Sequence, residues 1–450
     1  MSYWAELDLS DIPALIPQVF ANKSRLDVFS SHVQCHYPLF RRQDLVQQYA
    51  TGRVRPRLLS AIIAVSTSFS NHPEVLAFGA RALSDHYAEF ARREFLPILL
   101  SETAADLDDL RALFLLTLHD FRRSTSRKTC GNMSLLVRLS YQLGLHQIDN
   151  PANCSFYRAG VTTPDEIQSW RYLWWSIFLL DICCTMIAAI PSNIDMDSVC
   201  VALPFGTVED WISGKEIPQS TNLLFFQSDL ATIRHILHSA SDSWMKQLDD
   251  VPEIDGNFIL RLLNAYQLRE VGNLRRATIE NPHGDFSPRL DSFLTRLTVL
   301  RAALPAAYRD PVFQPHLDKS RRDHALRLIN LFGSSFLQLL LLMPKRDEQE
   351  DLSLTQWSGL ESVLERTVQV VRNWDPSFCS ITDPAVGCTV FTAMTMLLVH
   401  SKLETNQAKT KMSNSKFESS WNLLKMFLQH LGRFWTLPQI LLVLFTLQSQ

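Results

Sequence analysis

The side chains most able to do chemistry lie in a few short stretches. HVQCH, residues 32–36, brings His32, Cys35 and His36 together, and histidines four apart share a face if the segment is α-helical, as a metal would require. A structural zinc site needs four gathered ligands. HYPLF reads as a turn into the first helix, and no second ligand cluster follows it. His235 and His238 (RHILH) make a weaker pair of the same kind. Asp106, Asp108 and Asp109 in ADLDDLRALF suggest the magnesium-diphosphate chemistry of helical isoprenoid-type synthases. Such sites usually need DDxxD, whereas Asp108-Asp109 is followed here by Leu110-Arg111-Ala112. Acidic residues also favour the first turn of a helix, because its N-terminus is the positive end of the dipole. That is the expectation for these three. Cys183 and Cys184 have no histidine at catalytic spacing and read as small buried hydrophobes. No catalytic residue, resident metal or cofactor is expected.

FRRSTSRKTC, 121–130, is the most basic stretch, with Arg122, Arg123, Arg127 and Lys128. It reads as an exposed loop between two helices. It could be simply solvated, serve as a nuclear-import or phosphate-contact patch, or present Thr125 to a basophilic kinase.

Apolar residues recur at helical spacing almost everywhere. Leu58, Ile62, Val65 and Phe69 follow one face, and Leu136, Leu139 and Leu143 follow another that ends in Gly144, as helix C-termini often do. The spacing predicts helices near 56–70, 74–96, 104–120, 130–143, 165–189, 222–247, 257–280, 287–302, 320–342, 354–373, 383–402 and 417–447, the last divided near Gly432 to Pro438. Alternating strand patterns are nearly missing, so the fold class is all-α. Three regions are expected: an N-terminal segment at 1–35, a core at 36–210, and a helical continuation at 211–450.

Composition narrows the function classes. The chain is 46% hydrophobic and 20% charged with a formal net charge of −3, which argues against a surface built mainly to grip nucleic acid. Its N-terminus, with Glu6, Asp8 and Asp11, resembles neither a secretory signal nor an Arg-rich transit peptide. Eight cysteines, two of them adjacent, make no disulfide framework and suggest a reducing compartment. The 14 glycines never lie closer than eight positions, which excludes GxGxxG, P-loop and GxSxG turns.

The longest apolar run, Leu173 to Ile190, has eighteen residues and a single charge, Asp181. As a helix it spans roughly 27 Å, just short of a bilayer core. A carboxylate at its midpoint would cost about 2.5 to 3.5 kcal/mol there. No basic cluster flanks it. A helix apolar all round is otherwise one buried on every side of a large protein. It is expected to be a central core helix and not a membrane span.

That helix also carries a pattern. Glu166, Arg171, Trp174-Trp175, Asp181, Thr185, Pro191, then Asp195 and Leu203-Pro204, resemble the regulatory middle homology region of the fungal zinc-cluster transcription factors, which commonly reads E…RR.WW…LDR..S…GRP…D…LP. CHYPLF at 35–40, LLSAIIAVS at 58–66, LRALFLLTLHDF at 110–121 and LSYQLGLHQ at 139–147 fit in the same order. LRAALPAAYR at 300–309 and LINLFGSSFLQLLLLMP at 328–344 resemble it less specifically. The chain departs from the pattern at three places: its two arginines fall on Ile182 and Ile190, and its glycine falls on Ala189. Asp181 thus lacks its nearest cations and needs another partner, with the Thr185 hydroxyl one turn on as a candidate.

Members of that family normally open with a six-cysteine cluster that holds two zinc ions and places a helix in the major groove. The cysteines here, at 35, 130, 154, 183, 184, 200, 379 and 388, form no CxxC pair. Zinc is therefore expected only if a further N-terminal segment supplies that cluster, and DNA contact only through such a segment or indirectly. The resemblance implies a helical regulatory domain of a nuclear transcription regulator, not an enzyme. Its partners would be the transcription machinery, another regulator or a second copy of itself. The alternatives are an all-α enzyme of isoprenoid-synthase type and a non-nuclear helical scaffold.

Overall fold

A computed structural model describes residues 24–70, 72–100, 105–152, 163–216, 255–281, 284–343, 354–407 and 414–448. The helix expected at 222–247, with His235 and His238, lies outside the described residues. Among the described residues the regular elements are helical and no β-strand forms, so the fold is all-α.

The first described element is α1 (Ser24–Phe29), which runs into a π-helical turn at Ser30–Gln34; then come α2 (Arg42–Ala50) and α3 (Pro56–Thr67). The helix expected at 74–96 is two, α4 (Pro73–Phe78) and α5 (Ala80–Leu100), because Gly79 turns the backbone to φ +83° between them. Next come α6 (Leu107–Arg123), α7 (Arg127–Gln142), α8 (Pro164–Ala188) and the short α9 (Val208–Ser213). The back of the chain is α10 (Gly256–Glu280), α11 (Ser287–Ala303), α12 (Ala306–Arg309), α13 (Arg321–Leu342), α14 (Leu354–Arg372), α15 (Val386–Gln407), α16 (Asn414–Leu431) and α17 (Thr436–Gln448). The expected break near Gly432 separates the last two.

Reciprocal side-chain caps set several helix starts. Asp106 with Asp109 opens α6, Ser126 with Thr129 opens α7, Thr163 with Glu166 opens α8, and Ser320 with Asp323 opens α13. Each pair satisfies two backbone N–H groups that a helix start leaves without partners, worth roughly 1 kcal/mol.

Packing proceeds by neighbours. α3 lies against α5 and α6, α8 against α7 and α10, α10 against α13, α13 against α14 and α15, and α15 against α16 and α17. α17 then returns to α6, so the end of the chain touches its front half. Among the described residues a large apolar core runs through these helices, from Leu26 to Phe445, and a small second cluster joins α10, α11 and α13 around Val271, Phe293 and Leu337. α8 passes through the middle of the large core: Leu173, Trp174, Ile177, Phe178 and Leu180 have no exposed surface, and neither does Asp181. Two described helices, α8 and α13, are long and apolar enough to cross a membrane by length and composition, but 78% of the α8 window is buried inside the protein. Its apolar circumference matches a helix enclosed by others.

Candidate functional site

The residues of the α8 pattern hold down the segment that follows the helix. Arg171 donates from Nε and Nη2 to Asp149, at 3.0 and 2.7 Å, and stacks over Phe205 with its guanidinium 5.2 Å from the ring centre. The same Asp149 carboxylate accepts the Ala202 N–H at 2.8 Å. One turn earlier, Gln168 Nε2 donates to the Phe205 carbonyl at 2.7 Å, and one turn later Trp175 Nε1 donates to the Ala202 carbonyl at 3.0 Å. Residues 202–205 are fully or nearly fully buried, so their peptide groups need these partners. Glu166 is exposed and completes the α8 cap with Thr163. Trp174 is fully buried and packs edge-on against Tyr141, with ring centres 5.9 Å apart.

Asp181 finds its partners in the turn beyond the helix. Ser192 Oγ donates to it at 2.6 Å, Asn193 Nδ2 at 2.7 Å, and the Asn193 N–H at 3.1 Å. Burial pushes its carboxyl up from the usual range, and these hydrogen bonds oppose that shift. The Thr185 hydroxyl is not the partner. It donates to the Asp181 backbone carbonyl at 2.7 Å, a bond a helical threonine makes to its own preceding turn. Pro191 is exposed and opens the turn that delivers Ser192 and Asn193.

A second buried polar group joins three distant parts of the chain. Tyr37 Oη donates to Asp383 at 2.9 Å and Arg261 Nη2 donates to the same carboxylate oxygen at 3.0 Å. Arg261 Nη1 also donates to the His36 carbonyl at 2.8 Å, and its guanidinium lies 4.8 Å from the centre of the Tyr37 ring. The His36 ring Nε2 bonds the Ile381 carbonyl. Burial alone would raise the Asp383 carboxyl, but Arg261, the Ala385 N–H and Tyr37 hold it below the usual range. His36 is lowered too, to about 3, first by burial and then by Arg261. CHYPLF was legible as part of the pattern; Arg261 and Asp383 carried no local signal, since their meaning lies in who they meet.

A profile of the fungal specific transcription factor domain matches residues 26–269, a little over half of the chain. The chain belongs to that family. It is also similar to the candidate transcriptional regulatory protein YJL206C of Saccharomyces cerevisiae, 25% identical over 174 residues. That alignment covers 37% of this chain and 21% of the yeast protein, so the chain spans about a fifth of that relative's length. No solved structure matches it. The family match ends inside α10, yet the buried network of this fungal transcription factor domain closes only through Asp383, well beyond that point.

Within the domain, several sequence expectations need correction. His32 and His36 are not gathered on one helix face, because the helical turn ends at Gln34, before His36. His32 stacks on Phe69 at 4.7 Å and bonds the Val28 carbonyl, while His36 points to Ile381. FRRSTSRKTC is not an exposed loop. Arg122 and Arg123 form the last turn of α6, only Ser124 to Ser126 link the helices, and Arg127 and Lys128 begin α7. Arg127 and Lys128 are exposed, but Arg123 reaches Asp85 at 2.9 Å and the Thr125 hydroxyl is buried.

The acidic triplet is structural. Asp106 and Asp109 cap α6 and each other's backbone, Arg57 donates to Asp109 at 2.6 Å, Arg55 pairs with Asp106, and Arg111 donates to Asp108 at 2.8 Å. Carboxylates so engaged are poor magnesium ligands. Cys184 is buried, and burial pushes the Cys183 and Cys184 thiols far up, so neither is a ready nucleophile. The described cysteines also do not fit a zinc cluster. Cys35, Cys130, Cys183, Cys200, Cys379 and Cys388 are spread over separate elements, and burial raises the Cys388 thiol to about 12.

Proposed function

We propose that this fungal transcription factor domain is the regulatory part of a nuclear regulator and acts through protein contacts, not by gripping DNA. The family match carries this reading. The molecule's chemistry supports it: carboxylates that would serve a diphosphate-metal enzyme are tied up in caps and arginine pairs, and the net charge of −3 is a poor match to a phosphate backbone. Exposed Ile440, Val443 and Leu444 on α17 support a contact role, because a helix facing only water has no need of them. The partners would be the transcription machinery, another regulator or a second copy of the chain. Zinc and direct DNA reading would enter only with a six-cysteine segment beyond these residues.

Two measurements made together test this. The purified chain should give no sequence-specific gel shift at physiological salt. Fused to an unrelated DNA-binding domain and brought to a reporter, it should change transcription in either direction. A folded, nuclear fusion that leaves the reporter unchanged counts against the regulator, and a specific shift by the bare chain reveals an unrecognised DNA reader.

A further inference from the structure

Three buried or largely buried arginines of this domain each meet a carboxylate: Arg171 meets Asp149, Arg261 meets Asp383 and Arg327 meets Asp318. Arg122 does not. Among the described residues no carboxylate lies within salt-bridge distance of it. Its one hydrogen bond, from Nη1 to the Val65 carbonyl, is long at 3.5 Å, and its Nε is buried without an acceptor. The guanidinium lies against two aromatic rings that touch each other edge to face, 5.3 Å from the centre of Phe69 and 4.9 Å from that of Trp435. Such stacking holds a guanidinium in place and leaves its edge N–H groups available.

That cation lies on a cavity of about 50 Å³ where α3, α6 and the start of α17 meet. Val65, Ser68, His119, Trp435 and Thr436 line it with Arg122. A single water needs only about 10–15 Å³ on the same measure, so the space takes several waters or one small oxyanion. Its other basic groups are already engaged: Arg123 pairs with Asp85, and His119 contacts Asp85 at 3.4 Å and Asp120 at 3.3 Å. Thr436 opens α17, whose free N–H groups form the positive end of the helix dipole. A largely buried, fixed cation, a helix N-terminus and no acid among the described lining residues make a field that favours an anion.

We propose that this cavity is a binding site for a small oxyanion, a carboxylate or a phosphate, anchored by Arg122. The assignment does not rest on the regulatory role, and it would stand in a scaffold as well. Burial lowers the Arg122 guanidinium to about 10, with Tyr37 and Asp383 opposing at longer range, so it stays charged at neutral pH.

The test is a melting experiment on the purified chain with sodium succinate or sodium phosphate, against sodium chloride at matched ionic strength. Ligands that bind only the folded state raise Tm, here by about 2 °C or more near saturation. A rise with succinate alone assigns a carboxylate ligand, and a rise with phosphate alone assigns a phosphate. Arg122→Met should lose the response while melting close to the wild type, since it removes a largely buried charge whose one hydrogen bond among the described residues is long, and Met can still pack on Phe69 and Trp435. Should that variant fail to fold, Ser68→Phe, which fills the cavity from an exposed position, must abolish the response instead. No rise with either anion, or an undiminished rise in the variant that folds, overturns the proposal.

Discussion

Arg171 and Asp149 form a bidentate ion pair whose carboxylate has no exposed surface, and the same Asp149 oxygen that takes Arg171 Nε also takes the Ala202 N–H. One side chain of the family pattern thus reaches, through a single acid, the segment that ends in Leu203-Pro204. Removing one partner of a buried pair leaves the other charged and unsolvated, which costs about 3 to 5 kcal/mol. Asp149→Ala should therefore lower stability by that amount in urea titration. Replacing both residues, as Arg171→Met with Asp149→Leu, should recover part of the loss. A single variant within about 1 kcal/mol of wild type would show that the clamp is not closed in solution.

Asp181 has a parallel role further along the same helix. Asp181→Leu leaves Ser192 Oγ, Asn193 Nδ2 and the Asn193 N–H without their shared acceptor, so it should cost about 2 to 4 kcal/mol. Asp181→Asn keeps one acceptor oxygen and removes a carboxylate that burial disfavours, so its cost should be clearly smaller. Equal losses for the two variants would contradict this account.

The sequence made α8 and its pattern legible because both signals are local: a long apolar run of helical length, and polar residues interrupting it at fixed positions. It could not show what those polar residues hold. Asp181 looked orphaned because its partners come from a turn whose path depends on Pro191 and Ala189. The basic stretch at 121–130 read as a loop because charges usually lie in water. Helix periodicity alone does not reveal that two aromatic rings, Phe69 and Trp435, come from about 50 residues before and 300 after to cover Arg122. The π-turn at Ser30–Gln34 was equally hidden, since one extra residue in a turn leaves no mark on composition.

The basic stretch now gives a sharper expectation. Only Arg127 and Lys128 are exposed, too few cations for a basic import patch. Changing both to Gln should leave a fluorescent fusion distributed as before and alter stability by no more than about 0.5 kcal/mol. Thr125→Asp should instead destabilise, because the hydroxyl it replaces is buried. A cytosolic shift of the Arg127 and Lys128 variant would restore the import role.

His36 makes the protein acid-sensitive. Its folded-state value is about 3 against 6.5 when exposed, so between those values the unfolded chain binds a proton that the native state refuses. Stability then falls as pH drops through that window, by up to about 1.4 kcal/mol per pH unit for one group. Asp383, held low by Arg261, works in the same sense: its contribution is present above the ordinary carboxylate range and is lost as pH falls through its folded value. Urea midpoints measured from pH 7 down to 4 should decline in the wild type. His36→Gln, which cannot titrate, should decline less steeply. Parallel slopes would remove His36 as the cause.

The last prediction concerns Ala189, where the family pattern has glycine. α8 ends in a Schellman motif: the Ala189 N–H bonds the Met186 carbonyl at 3.3 Å, and the Ile190 N–H reaches back to Thr185 at 3.0 Å. That geometry places Ala189 in the left-handed region, φ 54° and ψ 37°, the sole non-glycine residue with positive φ among the described residues. An L-residue there presses its Cβ toward the following carbonyl at a cost of about 1 to 2 kcal/mol, which glycine does not incur. Glycine gives back part of that gain through the greater entropy of its unfolded chain. Ala189→Gly should therefore stabilise the protein by about 0.5 to 1 kcal/mol, read as a higher urea midpoint with an unchanged slope. The gain should persist in an Asp181→Asn background, because the turn's backbone, not its hydrogen bonds to the carboxylate, is what changes. A loss of stability on Ala189→Gly would mean that α8 does not end in this turn.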